Sequence, residues 1–253
     1  MIVSIIGSGN TATVLGKLLK EKKYSINEIL GTNKDAVKQL AGELNANAVY
    51  NFSELSQHSD VFIIAVKDDV VADVAAQLNL NEKIVVHTAG SVSVKVLEKA
   101  SKNYGVLYPL QSLRKEINNL PEIPFLIDAN NDETKKIVQQ LAFSISSFVS
   151  VADDTTRVQY HLSAVIVSNF SNHLFTLAKD YCDKNKIGFN QLLPLIEETV
   201  KRLHQFEPSE MQTGPAIRND VETMQAHLRL LKDFPLLNKI YEMMSESIIA
   251  FKK

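Results

Sequence analysis

The chain has 253 residues, of which 27 are lysine or arginine and 29 are aspartate or glutamate. This near balance excludes a basic surface for nucleic acid or for an anionic membrane. The single cysteine, Cys182, excludes an internal disulfide and a multi-thiolate metal site, and the histidines show no metal-ligand spacing. We therefore expect no metal and a reducing, cytoplasmic setting. No apolar run approaches the ~20 residues that cross a bilayer, so no membrane association is expected.

The first 150 residues alternate short β-rich apolar segments with stretches of helical period, which is typical of βαβ units in a parallel sheet. The run VFIIAV at 61–66 is apolar at every position, as in a strand buried on both faces, and is expected at the centre of the sheet. The predicted strands are 1–7, 28–32, 47–50, 61–66, 83–88, 104–110, 124–129 and 148–153, and the predicted helices are 10–22, 34–44, 68–78, 91–102 and 131–146.

After residue 152 the β pattern stops, and the remaining sequence predicts only helices. The pattern therefore predicts two domains, a dinucleotide-binding Rossmann domain at 1–152 and a helical substrate and dimerisation domain at 153–253. Its first helix is long and contains no proline, so it is expected either to bridge the domains or to pack against a second chain. The predicted helices are 154–185, 189–206, 219–232 and 235–251.

A glycine loop follows the first predicted strand, where Gly7-x-Gly9-x-x-Ala12 opens a helix. Gly7 permits a tight turn, Gly9 has no side chain to keep a pyrophosphate from the backbone, and Ala12 lets the helix pack on the strand. The free N–H groups and positive end of the helix dipole then face the phosphates. The motif predicts dinucleotide binding by residues Gly7, Ser8, Gly9, Asn10, Thr11 and Ala12, although the same glycines could form only a turn.

The end of the second predicted strand bears on the choice of cofactor. An acidic residue there would bind the ribose hydroxyls of NAD, whereas this chain has Thr32, Asn33 and Lys34, which suit a 2′-phosphate better. Asp35 is assigned to the first turn of the following helix. NADP is therefore favoured over NAD, and the alternative is that Asn33 and Lys34 merely begin a helix.

Two phrases, Gly7–Ala12 and Asp60–Lys67, resemble the cofactor half of pyrroline-5-carboxylate reductases over the first hundred residues. The serine, glycine and proline signatures of the carboxy-terminal half of those reductases are absent, so their substrate is not carried over. A bacterial family of Rossmann-fold proteins with a helical carboxy-terminal domain of unknown function, labelled NADP-dependent oxidoreductases, is a closer overall match. Its supporting phrases are His87–Ser91, Tyr108–Ser112, Tyr160-His161 with Ser168-Asn169, and Thr213–Asp220 with His227.

This second resemblance covers nearly the whole chain and implies a fold class, an activity and an assembly. The fold would be an α/β Rossmann domain with a parallel doubly wound sheet, followed by an all-α domain of the 6-phosphogluconate-dehydrogenase-like type. The chain would be a homodimer with its active cleft between the domains. Because the family label is itself inferred from fold, the activity must be argued from the site.

Loops at the carboxyl ends of two strands are candidates for lining a nicotinamide pocket, because ligands of open α/β sheets bind there. Ala65, Val66 and Lys67 follow the central strand, and His87 stands at the end of the next strand. His87 could donate or shuttle a proton, although a histidine at a strand end is more often structural. Lys67 could equally be a solvated charge. Thr88 and Ala89 complete the predicted cofactor contacts.

The predicted long helix carries a polar, small-residue stripe that includes Arg157, His161 and Ser168. In related two-domain dehydrogenases this helix carries the acid or base that faces the nicotinamide, so His161 is the first candidate for acid–base catalysis, with Ser168 holding substrate. An interfacial histidine with satisfied hydrogen bonds is an equal alternative. Residues predicted to bind substrate are Gln111, Ser112, Asn169 and Arg218, the last of which could pair with a carboxylate. For Gln111 and Ser112 a rigid turn is the alternative.

Together these patterns predict an NADP(H)-dependent oxidoreductase that transfers hydride to or from a small polar metabolite at the interdomain cleft. The alternative is a non-catalytic NADP(H)-binding sensor or interaction protein. A third possibility, a binder of sugar nucleotides or other phosphates, would not need a nicotinamide pocket.

Overall fold

The structure, a computed structural model, describes residues 1–117 and 122–251. The chain forms two compact units, Met1–Ser168 and Asn169–Lys253. The first holds the sheet and the first turns of the long helix, and the second holds only helices. The domain boundary predicted between residues 152 and 153 stays a prediction. Among the described residues no helix combines the length and the apolar character needed to span a bilayer.

The first unit is built on one eight-stranded sheet with the order β3-β2-β1-β4-β5-β6-β7-β8. All eight predicted strands are present. Their bounds are β1 Ile2–Ile6, β2 Ser25–Leu30, β3 Asn47–Val49, β4 Val61–Ile64, β5 Ile84–His87, β6 Asn103–Pro109, β7 Phe125–Ala129 and β8 Val149–Val151. This order, with helices between the strands, is a Rossmann-type sheet.

One strand pair departs from the predicted parallel sheet, because β7 runs antiparallel to β6. A parallel return needs a crossover connection, usually a helix, and the sequence between β6 and β7 has no helical period. From β7 the chain passes through a helix to β8, which is parallel to β7. The sheet is thus mostly parallel, with one reversal.

The core lies on both faces of the sheet. Val61 and Ile63 of β4 belong to the cluster on one face, and Phe62 and Ile64 belong to the cluster on the other. All four are at most 1% exposed, which confirms the predicted central position of this strand.

The described helices of the first unit are α1 Asn10–Glu21, α2 Lys34–Leu44, α3 Val71–Ala75, α4 Asp132–Ile145 and α5 Asp154–Ala164. The helix predicted at 68–78 is a 3₁₀ turn, Asp68–Val70, followed by the short α3. The helix predicted at 91–102 is wrong, since only the 3₁₀ turn Val94–Leu97 forms there. Asp154 of α5 accepts hydrogen bonds from the Ser93 hydroxyl and the Val94 N–H, and these contacts hold the segment as a loop.

The helix predicted at 154–185 is α5, a π-helical segment Val165–Phe170, and α6 Ser171–Lys184. Up to residue 251, the second unit continues with a 3₁₀ turn and four further helices. These are α7 Leu193–Arg202, α8 Pro215–Arg218, α9 Val221–Leu230 and α10 Pro235–Phe251. The helix predicted to begin at Asn219 begins at Val221. Asn219 instead adopts a left-handed conformation, and Asp220 caps α9 by accepting from the Thr223 N–H at 3.1 Å.

Candidate functional site

The first turn of the glycine loop admits only glycine. Gly7 has a φ of +126°, and a Cβ at this position would overlap the carbonyl of Ala65 at the end of β4. The Gly7 N–H donates to the Leu30 carbonyl at 2.7 Å. Strands β2 and β4 therefore both contact this turn, which fixes its position at the carboxyl edge of the sheet.

Gly9 faces open space instead. Apart from the adjoining residues of the chain, no atom of the described residues lies within 4 Å of the position that a Cβ would occupy. Helix α1 begins directly afterwards, and within the described part of the chain no side chain caps it and no acidic residue stands in its first turn. Ala12 is fully buried against the sheet, while Ser8 and Thr11 are half-buried and Asn10 is exposed. The first N–H groups of α1 are thus available to an anion, and the loop fits a pyrophosphate.

The residues predicted to select the cofactor lie at the end of β2. Thr32, Asn33 and Lys34 are all exposed. The Asn33 side chain caps α2 by accepting from the Ala36 N–H at 3.1 Å, and α2 begins at Lys34, with Asp35 in its first turn as predicted. The Asn33 oxygen is therefore already in use, whereas the Lys34 ammonium lies 5.9 Å from the centroid of the Tyr50 ring.

The loops that follow β4 and β5 meet at the same edge. Ala65 is buried, Val66 half-buried and Lys67 exposed after β4. Thr88 and Ala89 are buried after β5, and the Thr88 N–H donates to the Ile64 carbonyl at 3.1 Å. Further out, Asp68 accepts a hydrogen bond from the Ser91 hydroxyl at 2.6 Å and joins the two loops.

His87 is the last residue of β5 and is completely buried. Its Nδ1 accepts from the Ala89 N–H at 3.2 Å, so the neutral ring carries its proton on Nε2. Burial lowers the pKa of His87 to about 4, and the nearby Arg157 guanidinium adds to this effect. His87 is therefore neutral near pH 7, and its Nε2 has no hydrogen-bond partner among the described residues. Its predicted catalytic role stays a prediction.

Arg157 is the largest completely buried side chain of the described chain. Its Nη2 donates to the Val92 carbonyl and to Asp154, the latter at 2.7 Å, whereas Nε and Nη1 have no partner among the described residues. The sequence pattern places Arg157 on the polar stripe of the predicted long helix, and no role was predicted for it. Its spacing from His161 was a usable signal, but its burial could not be inferred from the sequence.

Tyr108 and His161 form a hydrogen-bonded pair beside the β5 loop. The Tyr108 hydroxyl lies 3.0 Å from His161 Nδ1. Tyr108 is in β6 and is 9% exposed, and His161 is in α5 and is half-buried. A Cβ on Gly90 would lie 2.7 Å from His161 Nδ1 and 2.9 Å from Tyr108 Cζ, so the pair packs directly on that backbone. Tyr108 belongs to the family phrase Tyr108–Ser112, but it was not predicted as a site residue.

Among the described residues, the other predicted substrate-binding residues make no hydrogen bond to this pair. Ser168 and Asn169 are exposed within the π-helical segment, one in each unit. Gln111 and Ser112 are exposed after β6, and the Gln111 side chain accepts from the Ser112 N–H at 3.0 Å, as a turn would require. Arg218 is exposed at the end of α8. Their predicted contacts with substrate stay predictions.

Together, the sheet order and the uncapped helix after the glycine loop define a dinucleotide-binding protein of the Rossmann type. In the described ranges no group of three or more histidine, cysteine or acidic side chains is arranged to hold a metal ion.

Comparisons with known proteins assign the family. Residues 2–91 match the family described as NADP oxidoreductase, coenzyme F420-dependent, and residues 123–248 match the domain of unknown function DUF2520. A Bacteroides fragilis protein described as a "putative NADP oxidoreductase" is 34% identical, with 98% of each chain covered and a TM-score of 0.92. The chain therefore belongs to this family of NAD(P)-dependent oxidoreductases, in which a Rossmann domain precedes a DUF2520 domain.

Two further solved structures are similar. A protein from Thermotoga maritima is 25% identical, covering 96% of this chain and 98% of its own, with a TM-score of 0.78. The 1-pyrroline-5-carboxylate reductase of Streptococcus pyogenes shares the fold at 17% identity, with 99% of each chain covered and a TM-score of 0.63. Both resemblances stated from the sequence are confirmed. No curated protein is significantly similar in sequence.

Proposed function

We propose that the chain is an NADP(H)-dependent oxidoreductase that transfers hydride to or from a small polar metabolite at the interdomain cleft. The observation that carries the proposal is the glycine loop. Gly9 leaves room for a phosphate against the backbone, and the start of α1 offers unpaired N–H groups without a competing carboxylate in its first turn.

The residues that would hold the cofactor lie along the carboxyl edge of the sheet. Gly7 to Ala12 would bind the pyrophosphate, and the Lys34 ammonium at the end of β2 would favour a 2′-phosphate. Small buried residues after β5, Ala89 and Gly90, would let a flat ring approach the backbone. The name of the Bacteroides fragilis relative, an NADP oxidoreductase, supports the same cofactor.

His161 would be the residue that donates or accepts the proton in the reaction. When bound, reduced nicotinamide supplies a hydride to an electrophilic carbon. His161 would give a proton to the attached oxygen or nitrogen, so that a C=O or C=N bond becomes CH–OH or CH–NH, and it would regain a proton from solvent because it is only half-buried. His87 would contribute by shaping the β5 loop through its bond to the Ala89 N–H. Ser168, Asn169, Gln111, Ser112 and Arg218 complete the proposed substrate contacts.

Calorimetric titration with NADPH and NADH, followed by a metabolite panel that includes coenzyme F420 and is monitored at the nicotinamide absorbance, tests the proposal. We expect micromolar binding that is tighter for NADPH, and turnover of one class of metabolite. His161→Ala should abolish turnover and leave NADPH affinity intact. Absence of heat with both nucleotides would refute the proposal, and binding without turnover would instead indicate a non-catalytic NADP(H)-binding sensor or interaction protein.

We also propose that the protein is a cytoplasmic homodimer. Val158, Leu162 and Ile166 lie four residues apart along α5 and the π-helical segment, and each is more than 40% exposed. Apolar side chains repeated on successive turns are typical of a protein interface. The second unit also exposes Leu195, Phe206, Met243 and Met244. Sedimentation equilibrium should give twice the chain mass, and Leu162→Glu should shift the species toward monomer; a monomeric wild type would contradict the proposal.

A further inference from the structure

The Tyr108–His161 pair joins three elements that the sequence keeps far apart. Tyr108 comes from β6 and His161 from α5, and both rings pack on the Gly90 backbone of the loop after β5. The rings meet edge to face, with centroids 6.0 Å apart and an interplanar angle of 66°. A methyl group at residue 90 would displace one ring or the other. Gly90 therefore permits a contact that fixes the orientation of the His161 ring.

The Tyr108 hydroxyl is able to supply the proton of this hydrogen bond. Burial raises the pKa of Tyr108 above its ordinary value, and the carboxylate of Asp68 acts in the same sense. The phenol therefore stays protonated, so its O–H is able to donate to His161 Nδ1. A neutral imidazole that accepts at Nδ1 must carry its proton at Nε2. No hydrogen bond to His161 Nε2 occurs among the residues that the structure describes.

His87, the second histidine near this edge of the sheet, differs from His161 in its burial. His87 accepts at Nδ1, its ring is completely buried, and its Nε2 has no partner among the residues that the structure describes. His161 is half-buried. Of the two rings, that of His161 is the one open to solvent.

We propose that Tyr108 is a positioning residue that holds His161 in the Nε2–H tautomer, so that the transferable proton is on the outer nitrogen of the ring. The functional part of this inference rests on the proposed oxidoreductase activity. Tyr108 does not donate the proton to substrate; it fixes which nitrogen carries that proton and where the ring points. Gly90 is the second requirement, because it leaves the space in which the two rings meet.

The tautomer of His161 can be measured in the full chain with nitrogen-15-labelled histidine. Two-bond ¹H–¹⁵N correlation spectra near pH 7.5 distinguish the two tautomers. The signal of His161 is the one that is missing from the spectrum of the His161→Gln variant. The wild-type spectrum should show the Nε2–H form. Tyr108→Phe should reduce the ratio of the Nε2–H form to the Nδ1–H form of His161 about fivefold, which corresponds to the loss of one hydrogen bond. The second unit offers a matched control, since His227 Nδ1 lies 2.9 Å from the Tyr241 hydroxyl. Tyr241→Phe should change the His227 signal and leave that of His161 unaltered.

Gly90→Ala provides a second variant that removes neither ring, and it should also alter the His161 signal. If wild-type His161 is the Nδ1–H form, or if both Tyr108→Phe and Gly90→Ala leave the ratio unchanged, the inference is overturned. With a substrate from the metabolite panel, Tyr108→Phe should lower kcat about tenfold with little change in the KM for NADPH. If the wild-type protein turns over nothing, the proposed activity fails, while the spectra still decide the role of Tyr108.

Discussion

The carboxyl edge of the sheet has two regions that are built in different ways. The glycine loop at β1 and α1 presents backbone N–H groups to open space. The region at the ends of β5 and β6 is built from side chains, with His87 and Arg157 completely buried and Tyr108 bonded to His161. A binding surface made of backbone needs glycine where the ligand approaches. A proton-handling surface needs side chains that burial and neighbouring groups hold in one state.

The two glycines of the loop give the largest expected effects. An alanine at residue 9 can adopt the observed φ of −84° and ψ of −167°, and its methyl group meets no protein atom within 4 Å. Gly9→Ala should therefore fold normally and weaken NADPH binding by about 100-fold, or roughly 2.7 kcal/mol. Gly7→Ala should instead destabilise the fold by about 3 kcal/mol, because of its positive φ and the clash with Ala65.

Calorimetry and urea unfolding separate these two outcomes. The matched control is Gly42→Ala on α2, where likewise no atom lies within 4 Å of an added Cβ. It should stabilise the helix by about 0.5–1 kcal/mol and leave NADPH affinity unchanged. Equal NADPH affinities for the Gly9→Ala variant and the wild type would show that the pyrophosphate binds elsewhere.

Substitution of the buried Arg157 at the ends of β5 and β6 should lower the free energy of unfolding. Arg157→Ala leaves Asp154 without its buried partner, frees the Val92 carbonyl and opens a cavity, so we expect a loss of about 3 kcal/mol. Arg157→Met keeps most of the buried volume and should lose less. The exposed Lys179–Asp183 pair, also 2.7 Å apart, is the control, and Lys179→Ala should cost less than about 0.5 kcal/mol. Urea unfolding measures the free energy of unfolding of the three variants. Equal losses for Arg157→Ala and Lys179→Ala would show that the buried guanidinium does not stabilise the fold.

The two regions also differ in how far the sequence predicts them. The tight turn at Gly7 and the helix start after Gly9 were predicted, because the motif occupies six consecutive positions from the end of a strand into the first turn of a helix. Dinucleotide binding by these residues stays a prediction. All eight strands were predicted as well, since a parallel sheet buried on both faces leaves long apolar runs. The reversal at β7 was not predicted, although the sequence predicted no helix between the strands at 104–110 and 124–129.

The side-chain region could be predicted only in part. His87 and His161 were named individually, but the hydrogen bond joins residues 53 positions apart, and no local pattern specifies that Tyr108 reaches His161. The burial of Arg157 depends on the loop at 91–94, where a helix had been predicted. Periodicity was misleading there because tertiary hydrogen bonds to Asp154, rather than local propensity, determine the backbone.

The buried histidine should make stability depend on pH. The folded pKa of His87 is about 4, against 6.5 for the unfolded chain. Between these values the unfolded chain binds a proton that the folded chain excludes, so stability falls as the pH drops from 6.5 towards 4. From pH 7 to pH 5 the wild type should lose about 2 kcal/mol more than His87→Gln, because only the wild type has this group. Urea unfolding at the two pH values measures the difference, and parallel losses would show that His87 titrates normally.

The smallest expected effects concern Asn33 and Lys34, which separate a structural from a binding role within two neighbouring residues. Asn33→Ala removes the cap of α2 and should cost about 1 kcal/mol of stability, with NADPH and NADH affinities changed equally if at all. Lys34→Ala leaves the cap in place and removes one exposed positive charge. It should therefore lower the affinity for NADPH about fivefold and change the affinity for NADH little. Calorimetric titration of both variants with both nucleotides makes the comparison. If Lys34→Ala lowers the affinities for NADPH and NADH equally, a preference for the 2′-phosphate does not arise at the end of β2.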